Sequence, residues 1–298
     1  MISIIIPTFN RENLIQKAVK SVLEQTYQDI EVIVVDDGST DHTAEKVEEI
    51  QDKRVRYLKL EKNGGACRAR NKGAEIARGK YLAFQDSDDI WHKNKLEKQI
   101  QFLENGGYDF VFCGMTRIML GDESKRYYYP NEPLDPEKSI FYQLLYLNRV
   151  GTQTILCKTE CFEKIRFDES LRRFQDWDLA LQAAKNYRVG YLKESLVDSF
   201  IQMDSISQSK KANSQAWRMI YKKYQKEIDS KTIIKAKYYF RMGNEVLLQD
   251  ASKAADYYVE SLKENKNIKT MMMYILCKLK LTQISSWLLD YQKRRLFK

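Results

Sequence analysis

Short apolar runs alternate with segments of helical periodicity through the first two thirds of the chain. Residues 3–6 and 30–35 are nearly continuous apolar, β-branched runs, a pattern typical of strands covered on both faces of a parallel sheet. Residues 11–25 place apolar side chains about every 3.6 positions, which predicts an amphipathic helix. Further strands are predicted over 55–60 and 81–84. This alternation indicates an α/β fold with a mostly parallel sheet flanked by helices.

The alternation is less regular beyond residue 89 and stops near residue 206. The predicted elements there are a helix over 93–104, a strand over 110–113, a loop over 120–138, a strand over 153–157, a short helix over 159–165, a helix over 177–186 and two short strands within 189–203. From residue 210 onward only helical periodicity remains. We therefore expect an α/β domain over 1–208, a boundary near 207–212, and an α-helical C-terminal region over 209–298.

Charge is distributed unevenly between these two parts. Residues 209–298 carry 20 Lys and Arg against 8 Asp and Glu, a net charge of +12, whereas residues 1–208 carry 30 against 33, a net charge of −3. No run of 18 apolar residues occurs, and the apolar N-terminal run is too short for a signal peptide. The five cysteines include no C-x-x-C pair and indicate reduced thiols. These observations predict a cytoplasmic protein with a basic helical module.

An acidic cluster follows directly after the predicted strand over 81–84. Three of its four residues carry carboxylates, and the four are Asp86, Ser87, Asp88 and Asp89. Ligands usually bind at the carboxyl ends of strands in an open α/β sheet, and Mg²⁺ or Mn²⁺ bridging to phosphate would relieve the repulsion between carboxylates. The alternative is a solvated acidic turn that caps the next helix. The cluster alone does not decide between them.

Two further polar loops follow the first two predicted strands. The first strand ends in Pro7-Thr8-Phe9-Asn10 and the second in Asp36-Asp37-Gly38-Ser39, and neighbouring parallel strands would place these loops side by side. Phe9 can stack on a base, and Asp37 can accept a hydrogen bond from the imide of uracil. Neither G-x-G-x-x-G nor a P-loop motif is present, which weighs against a dinucleotide site and against a P-loop nucleoside triphosphatase.

The ordered set of motifs resembles family 2 inverting glycosyltransferases of the GT-A fold over about residues 2–208. The segments that carry this resemblance are IIIPTFNR, SVLEQTY, IEVIVVDDGSTD, NGGACRARNKG, DSDD and QDWDL. The resemblance implies a Rossmann-like sheet, a UDP-sugar donor, a divalent cation (Mn²⁺ or Mg²⁺) and inversion at the anomeric carbon. It carries no implication for the last 90 residues.

The resemblance also implies roles for individual residues. Arg70 would reach the donor diphosphate, Asp88 would ligate the metal, Asp86 would contact the metal or the ribose, and Asp176 would be the general base. The donor pocket would further include Pro7, Thr8, Phe9, Asp37, Asn63 and Ser87, with Gly65, Ala69 and Asn71 completing the segment around Arg70. Asp89 and Asp178 are expected to cap helices.

Three positions depart from the family pattern. Gln175 replaces a Glu beside the predicted base and so removes one charge near the acceptor. Arg68 stands where relatives have a small residue, and a surface position or a second phosphate contact would both suit it. Asp204 replaces a His, and its role is left open because a carboxylate there would serve a metal but repel phosphate.

The basic C-terminal helices permit three interpretations. The segment 271–276 (MMMYIL) is followed by Lys278 and Lys280 and could lie on an anionic membrane surface. The same side chains could instead fill the core of an ordinary helical domain, or form an interface such as that of a homodimer. We expect no nucleic acid partner, and a peripheral position on the inner face of the membrane is the localisation that the first interpretation implies.

The leading hypothesis is an inverting glycosyltransferase that transfers sugar from a UDP-sugar to a saccharide acceptor, plausibly lipid-linked, in surface polysaccharide synthesis. Two alternatives belong to other classes. A sugar-phosphate nucleotidyltransferase would need a Gly-rich, basic loop after the first strand, which Pro7-Thr8-Phe9-Asn10 does not provide. A non-enzymatic binding module with a basic helical tail would not need the carboxylates at 86, 88 and 176, all of which are present.

Overall fold

The computed structural model describes residues 1–132, 134–201, 210–284 and 287–288, with the side chains of 210–212 left out. The chain divides into two compact units. The first consists of residues 1–170 and 175–202, and the second of residues 171–174 and the chain from 203 onward. Much of the predicted boundary at 207–212, and Asp204 before it, lie outside the described residues.

The first unit is built on one nine-stranded sheet. Its strands are β1 (Ile2–Thr8), β2 (Ile30–Asp36), β3 (Val55–Lys59), β4 (Tyr81–Phe84), β5 (Ile90–Trp91), β6 (Phe110–Met119), β7 (Asp122–Tyr129), β8 (Ile155–Lys158) and β9 (Val189–Ile201). The order is β3-β2-β1-β4-β8-β6-β9-β5, with β7 paired to β6. Strands β1 to β4 are parallel, whereas β8 is antiparallel to both of its neighbours. The α/β prediction is confirmed, and the sheet is mixed beyond β4.

Six α-helices belong to the same unit among the described residues. They are α1 (Ile15–Leu23), α2 (Thr43–Glu48), α3 (Ala66–Glu75), α4 (Lys95–Gly106), α5 (Ile140–Tyr146) and α6 (Gln175–Asn186). Helix α3 packs closely on the sheet at Gly73, where an added Cβ would lie 2.5 Å from Ile5 Cγ2. Ile5 and its neighbours on β1 are fully buried, and each such side chain stabilises the fold by about 1.5–3 kcal/mol.

Within the segment predicted as a loop over 120–138, residues 122–129 instead form a strand, β7, paired antiparallel with an extended β6. Gly121 makes the turn with a φ of +87°, which favours glycine. The prediction failed because most β7 side chains before Tyr127 are exposed, so the strand shows no apolar alternation. A short 3₁₀ helix (Thr152–Thr154) also replaces the start of the strand predicted over 153–157.

The two short strands predicted within 189–203 form the single strand β9. It pairs in parallel with β6 and in antiparallel fashion with β5. The β6–β9 register shifts near Gly114, and the polar residues Lys193 and Glu194 of β9 lie beside that shift. These two polar residues interrupted the apolar pattern, and the sequence therefore suggested two strands where the backbone forms one.

The second unit is helical, as the periodicity predicted. Its helices are α7 (Lys210–Lys223), α8 (Gln225–Asp229), α9 (Thr232–Val246), α10 (Ala251–Glu264) and α11 (Ile268–Lys278). Helices α9 and α10 approach closely because Gly243 accommodates the ring of Tyr258, whose Cε1 would lie 2.6 Å from an added Cβ. Tyr258 also packs with Met273 and Cys277 of α11 in a buried cluster. The core of this unit therefore explains part of its Met and Tyr content.

Candidate active site

The loops that follow β1 and β2 lie side by side, as predicted from the parallel pairing of these strands. The backbone N–H of Asn10 donates to Ser39 Oγ (2.9 Å), and the N–H of Thr40 donates to Asn10 Oδ1 (3.0 Å). The N–H of Asp37 donates to the Thr8 carbonyl (2.9 Å). These bonds join the two predicted nucleoside-binding loops into one surface.

The candidate nucleoside residues differ in their exposure. Pro7 is buried within β1, whereas the side chain of Phe9 is 40% exposed and so accessible for stacking. The hydroxyl oxygen of Thr8 is buried without a hydrogen-bond partner among the described residues. An unpaired buried hydroxyl is costly. This oxygen therefore indicates a place where a ligand would form a hydrogen bond.

Asp37 holds the loop that follows β3. It is 1% exposed, and its carboxylate accepts hydrogen bonds from the N–H groups of Gly64 (2.9 Å) and Gly65 (2.6 Å). The neighbouring Asn63 is exposed. Sequence reasoning assigned Asp37 to the uracil imide. The structure adds a second role that the sequence did not indicate, since both carboxylate oxygens position this glycine-rich loop.

Arg70 connects three parts of the site. It is buried on α3, and its Nη2 forms an ion pair with Asp86 Oδ1 (2.6 Å) while Nη1 donates to Gln175 Oε1 (3.2 Å). The guanidinium carbon lies 5.3 Å from the ring centroid of Phe167. Gln175 precedes the predicted base directly in sequence. The geometry therefore brings the acidic loop after β4 next to the start of α6, which no pattern in the sequence indicated.

The acidic cluster is not a solvated turn. Ser87 is 8% and Asp89 4% exposed, and Asp88 is half-buried. Asp89 accepts hydrogen bonds from Gln153 Nε2 (2.6 Å) and from the N–H of Phe200 (3.0 Å). The expectation that Asp89 caps a helix is therefore wrong, because it fastens the cluster to the neighbouring strands and Asn94 stands at the N-cap of α4.

The remaining carboxylates of the cluster suit a divalent cation. Burial, followed by the neighbouring charge of Asp86, raises the pKa of Asp88, and a cation would relieve that repulsion. Within the described residues no group of three or more His, Cys, Asp or Glu is arranged to hold a metal by itself. Mg²⁺ is commonly held by one or two carboxylates together with water and substrate phosphate, so Asp86 and Asp88 fit such an ion.

Asp176 lies in the first turn of α6. Its Oδ1 accepts hydrogen bonds from the N–H of Trp177 (2.7 Å) and from Asn148 Nδ2 (3.4 Å). Burial raises the pKa of Asp176, against the Trp177 hydrogen bond and the positive charges of Arg117 and Arg70. A carboxylate with a raised pKa is a stronger base and is suited to removing a proton from a hydroxyl.

Asp178 does not cap α6, because the helix already begins at Gln175. It is fully buried within the helix, where its Oδ2 accepts a hydrogen bond from Gln182 Nε2 (2.7 Å). Arg68 is half-buried, packs over Gly64 and donates from Nη1 to the Lys62 carbonyl (3.3 Å). Both residues therefore have local partners.

Sequence reasoning did not place Arg117, Tyr129 and Asn148 near the base. The Arg117 guanidinium carbon lies 5.2 Å from the Tyr129 ring centroid, and the Tyr129 hydroxyl donates to the Asn148 carbonyl (2.7 Å). All three belong to the part of the chain between 115 and 150 whose fold the pattern did not define. The available sequence signal was the charge of Arg117, which follows shortly after the strand predicted over 110–113.

The fold and the paired carboxylate loops are those of a GT-A glycosyltransferase domain. Residues 3–166 match the family described as "Glycosyl transferase family 2". The chain belongs to this family. Membership supports the glycosyltransferase hypothesis, and it does not support the nucleotidyltransferase or binding-module alternatives.

Two curated relatives illustrate the similarity. TuaG of Bacillus subtilis, named for teichuronic acid biosynthesis, is 34% identical over 226 residues, covering 73% of this chain and 86% of TuaG. WfgD of Escherichia coli, a UDP-Glc:α-D-GlcNAc-diphosphoundecaprenol β-1,3-glucosyltransferase, is 44% identical over 112 residues, 38% of this chain and 44% of WfgD. The chain spans 28–32% of the length of the Rickettsia glycosyltransferases that also match it.

Two solved structures share the fold. Staphylococcus aureus TarS (residues 1–349) in complex with UDP aligns with a TM-score of 0.64 at 20% identity, covering 95% of this chain and 88% of that chain. The mannosyltransferase PcManGT of Pyrobaculum calidifontis, in complex with GDP-Man and Mn²⁺, aligns with a TM-score of 0.62 at 17% identity, covering 97% of this chain and 84% of that chain. At these identities the likeness concerns the fold.

Proposed function

We propose that this chain transfers a sugar from a UDP-sugar to a hydroxyl of a saccharide acceptor, with inversion at the anomeric carbon. The observation that carries the proposal is the position of Arg70, which bonds both Asp86 and Gln175. This arginine brings the carboxylates proposed for the donor side next to Asp176, the carboxylate proposed for the acceptor side. An inverting displacement needs these two sides to face one reacting carbon.

The chain's residues divide the reaction between them. Asp176 would accept the proton of the acceptor hydroxyl as its oxygen forms a bond to the anomeric carbon, and the bond from that carbon to the diphosphate would break to release UDP. Phe9 and Thr8 would hold the nucleoside, and Asp37 would position the loop of Asn63 beside it. Asp88 and Asp86 would hold a divalent cation, which when bound would neutralise charge on the diphosphate.

The experiment combines binding with turnover. The protein is titrated with UDP by calorimetry in Mn²⁺ and in EDTA, and transfer is assayed with UDP-glucose, UDP-galactose and UDP-N-acetylglucosamine, with the anomeric configuration of the product read by NMR. We expect tighter UDP binding with Mn²⁺ and an inverted product. Asp176→Asn should lower turnover about 10²-fold or more and keep UDP binding, whereas Asp122→Asn on the exposed hairpin should change neither. A retained configuration would refute the mechanism.

We further propose a lipid-linked acceptor and a peripheral position on an anionic membrane. The relative WfgD is named for a diphosphoundecaprenol acceptor. Among the described residues, none of the helices combines the length and apolar composition needed to cross a bilayer. Helix α11 instead exposes large apolar side chains beside Lys269 and Lys278. These side chains are Ile268 (90% exposed), Met271 (46%), Met272 (39%) and Ile275 (47%).

A vesicle assay tests this localisation. Each Lys or Arg near an anionic surface contributes about 1 kcal/mol, attenuated by salt. We expect sedimentation with phosphatidylglycerol vesicles at low salt and release at high salt. Ile275→Gln should weaken binding more than the matched control Ile233→Gln, whose side chain on α9 is 59% exposed. Absence of binding at low salt, from a protein that elutes as a stable dimer, would favour a homodimer interface instead.

A further inference from the structure

Arg117 presents donors that the described protein does not use. It lies on β6 opposite Ser199 of β9 and Tyr127 of β7. Its Nε is buried without a hydrogen-bond partner, and within the described residues the side chain makes no hydrogen bond or ion pair. Its contact there is with the Tyr129 ring, 5.2 Å from the guanidinium carbon. The side chain as a whole is half-buried, so the cost of an unpaired donor away from water concerns the buried Nε–H, one of the five N–H donors of a guanidinium.

The two buried arginines of this unit both form ion pairs, although the Nε of Arg70 is also without a hydrogen-bond partner among the described residues. Arg70 is bonded by Asp86 and Gln175. Arg149 pairs with Glu132 (3.2 Å) and donates to the Gln143 carbonyl (2.7 Å). Arg117 therefore differs from both in forming no ion pair and no side-chain hydrogen bond among the described residues.

The contacts of Arg117 connect it to the proposed base Asp176, although its charge also acts on the buried Asp89 of the acidic cluster. The proposed donor loops follow β1, β2 and β4, whereas β6 is separated from β4 by β8. Tyr129, on which Arg117 stacks, donates to the carbonyl of Asn148, and the Asn148 amide donates to Asp176. Burial raises the pKa of Tyr129, and the charge of Asp176 raises it further while that of Arg117 lowers it. Arg117 and the proposed base thus act on the same side chain.

We propose that Arg117 binds an anionic group of the acceptor, a phosphate or a carboxylate, adjacent to the sugar whose hydroxyl faces Asp176. The inference rests on the proposed function and adds the chemical class of the acceptor. A planar guanidinium pairs well with either oxyanion. Gln175 is consistent with this assignment, because a neutral amide in place of the family's Glu removes one negative charge beside the acceptor.

Binding to the UDP-loaded protein tests the assignment. The protein is saturated with UDP and Mg²⁺ and titrated with N-acetylglucosamine 1-phosphate, glucose 1-phosphate, methyl glucuronide and the neutral methyl glycosides of the same sugars. We expect at least one anionic ligand to bind roughly tenfold or more tightly than its neutral counterpart, the scale of a hydrogen bond to a charged group. The phosphate and glucuronide arms distinguish the two sources of charge.

Variants separate this role from general effects. Arg117→Gln should abolish the preference for the anionic ligand and leave the affinity for UDP unchanged, and Arg117→Lys should retain part of it. Arg126→Gln, an exposed arginine of the same hairpin, controls for loss of charge, and thermal melting verifies folding. A loss of UDP affinity in Arg117→Gln, or equal binding of charged and neutral sugars by the unaltered protein, would overturn the proposal. Failure of the unaltered protein to bind UDP would instead contradict the proposed function.

Discussion

Asn71 anchors the loop around Phe167, which supports Arg70. Replacing Asn71 tests how much these contacts stabilise the fold. The side chain is 7% exposed. Its Nδ2 donates to the Phe167 carbonyl (2.9 Å) and to Glu169 Oε1 (3.0 Å), and its Oδ1 accepts from the N–H of Phe167 (3.1 Å). Phe167 in turn lies against the Arg70 guanidinium and against Phe84. The family resemblance grouped Asn71 with donor-binding residues, whereas its contacts are with this loop.

The size of the effect follows from these three bonds. Each contributes about 1 kcal/mol net, and a backbone group left buried and unpaired costs about 1–3 kcal/mol. Asn71→Ala should therefore lower the free energy of unfolding by about 3 kcal/mol. Asn71→Asp keeps only the acceptor and places a second carboxylate beside Glu169, so it should cost at least as much at neutral pH. Part of that loss should be recovered on acidification, when the introduced carboxyl becomes protonated.

Urea unfolding measures this effect through Trp91 and Trp177, both buried in the first unit. With a slope of about 2–3 kcal/mol per molar urea, the midpoint should fall by about 1 M. The matched control is Asn186→Ala, an exposed amide that donates to the Gln182 carbonyl (2.7 Å), where we expect a change of about 0.5 kcal/mol or less. Equal midpoint shifts for the two alanine variants would refute the assignment of Asn71 as a loop anchor.

Three other predictions concern ionisable groups. Burial raises the pKa of Asp176 above its ordinary value of 3.8, and the base must be deprotonated to act. On acidification kcat should therefore begin to fall at a pH above 3.8. A pH–rate profile in which kcat falls only at or below pH 3.8 would contradict this. Asp88→Ala should weaken UDP binding in Mn²⁺ but not in EDTA, measured by calorimetry. Burial lowers the pKa of Lys95 to about 8 from 10.5, so stability should rise with pH between these values. Lys95→Met should remove that rise in the urea midpoint. At pH 7 it should raise the free energy of unfolding by about 1–3 kcal/mol. The pKa difference implies a gain of roughly 3 kcal/mol, and the gain should be smaller than that because Gln99 loses its hydrogen-bond donor.

The α/β core was predictable because its strands are apolar on both faces. Strands β1 and β2 are buried at every position, so a continuous apolar run is the expected signature, and their parallel pairing follows from the intervening helix. The positions of the loops after β1 and β2 follow from that pairing alone. The sequence therefore predicts that the motif residues on these loops lie near each other.

The acceptor side could not be predicted in the same way. Strand β7 is exposed at four consecutive positions, residues 123–126, so its sequence lacks the alternation that identifies a strand, and the hairpin that carries Arg117 was not expected. The contacts of Asp37, Asn71 and Asp89 were missed for a related reason. Each lies in a motif or an acidic turn that suggests ligand binding or capping, but its hydrogen bonds join segments far apart in sequence, and spacing carries no information about such partners.

The charges of the site explain why donor and acceptor sides must be considered together. Asp86 pairs with Arg70, so that carboxylate is already neutralised in part, whereas Asp88 has no ion pair among the described residues and its pKa is raised by burial and by Asp86. A diphosphate entering beside Asp88 would add negative charge to an already unfavourable position, which is the physical reason to expect a cation there. Arg117, whose charge acts on Asp176 and Asp89, forms no ion pair among the described residues. An anionic acceptor would therefore give Arg117 the ion-pair partner that it lacks, next to Tyr129 and Asn148, which connect it to Asp176.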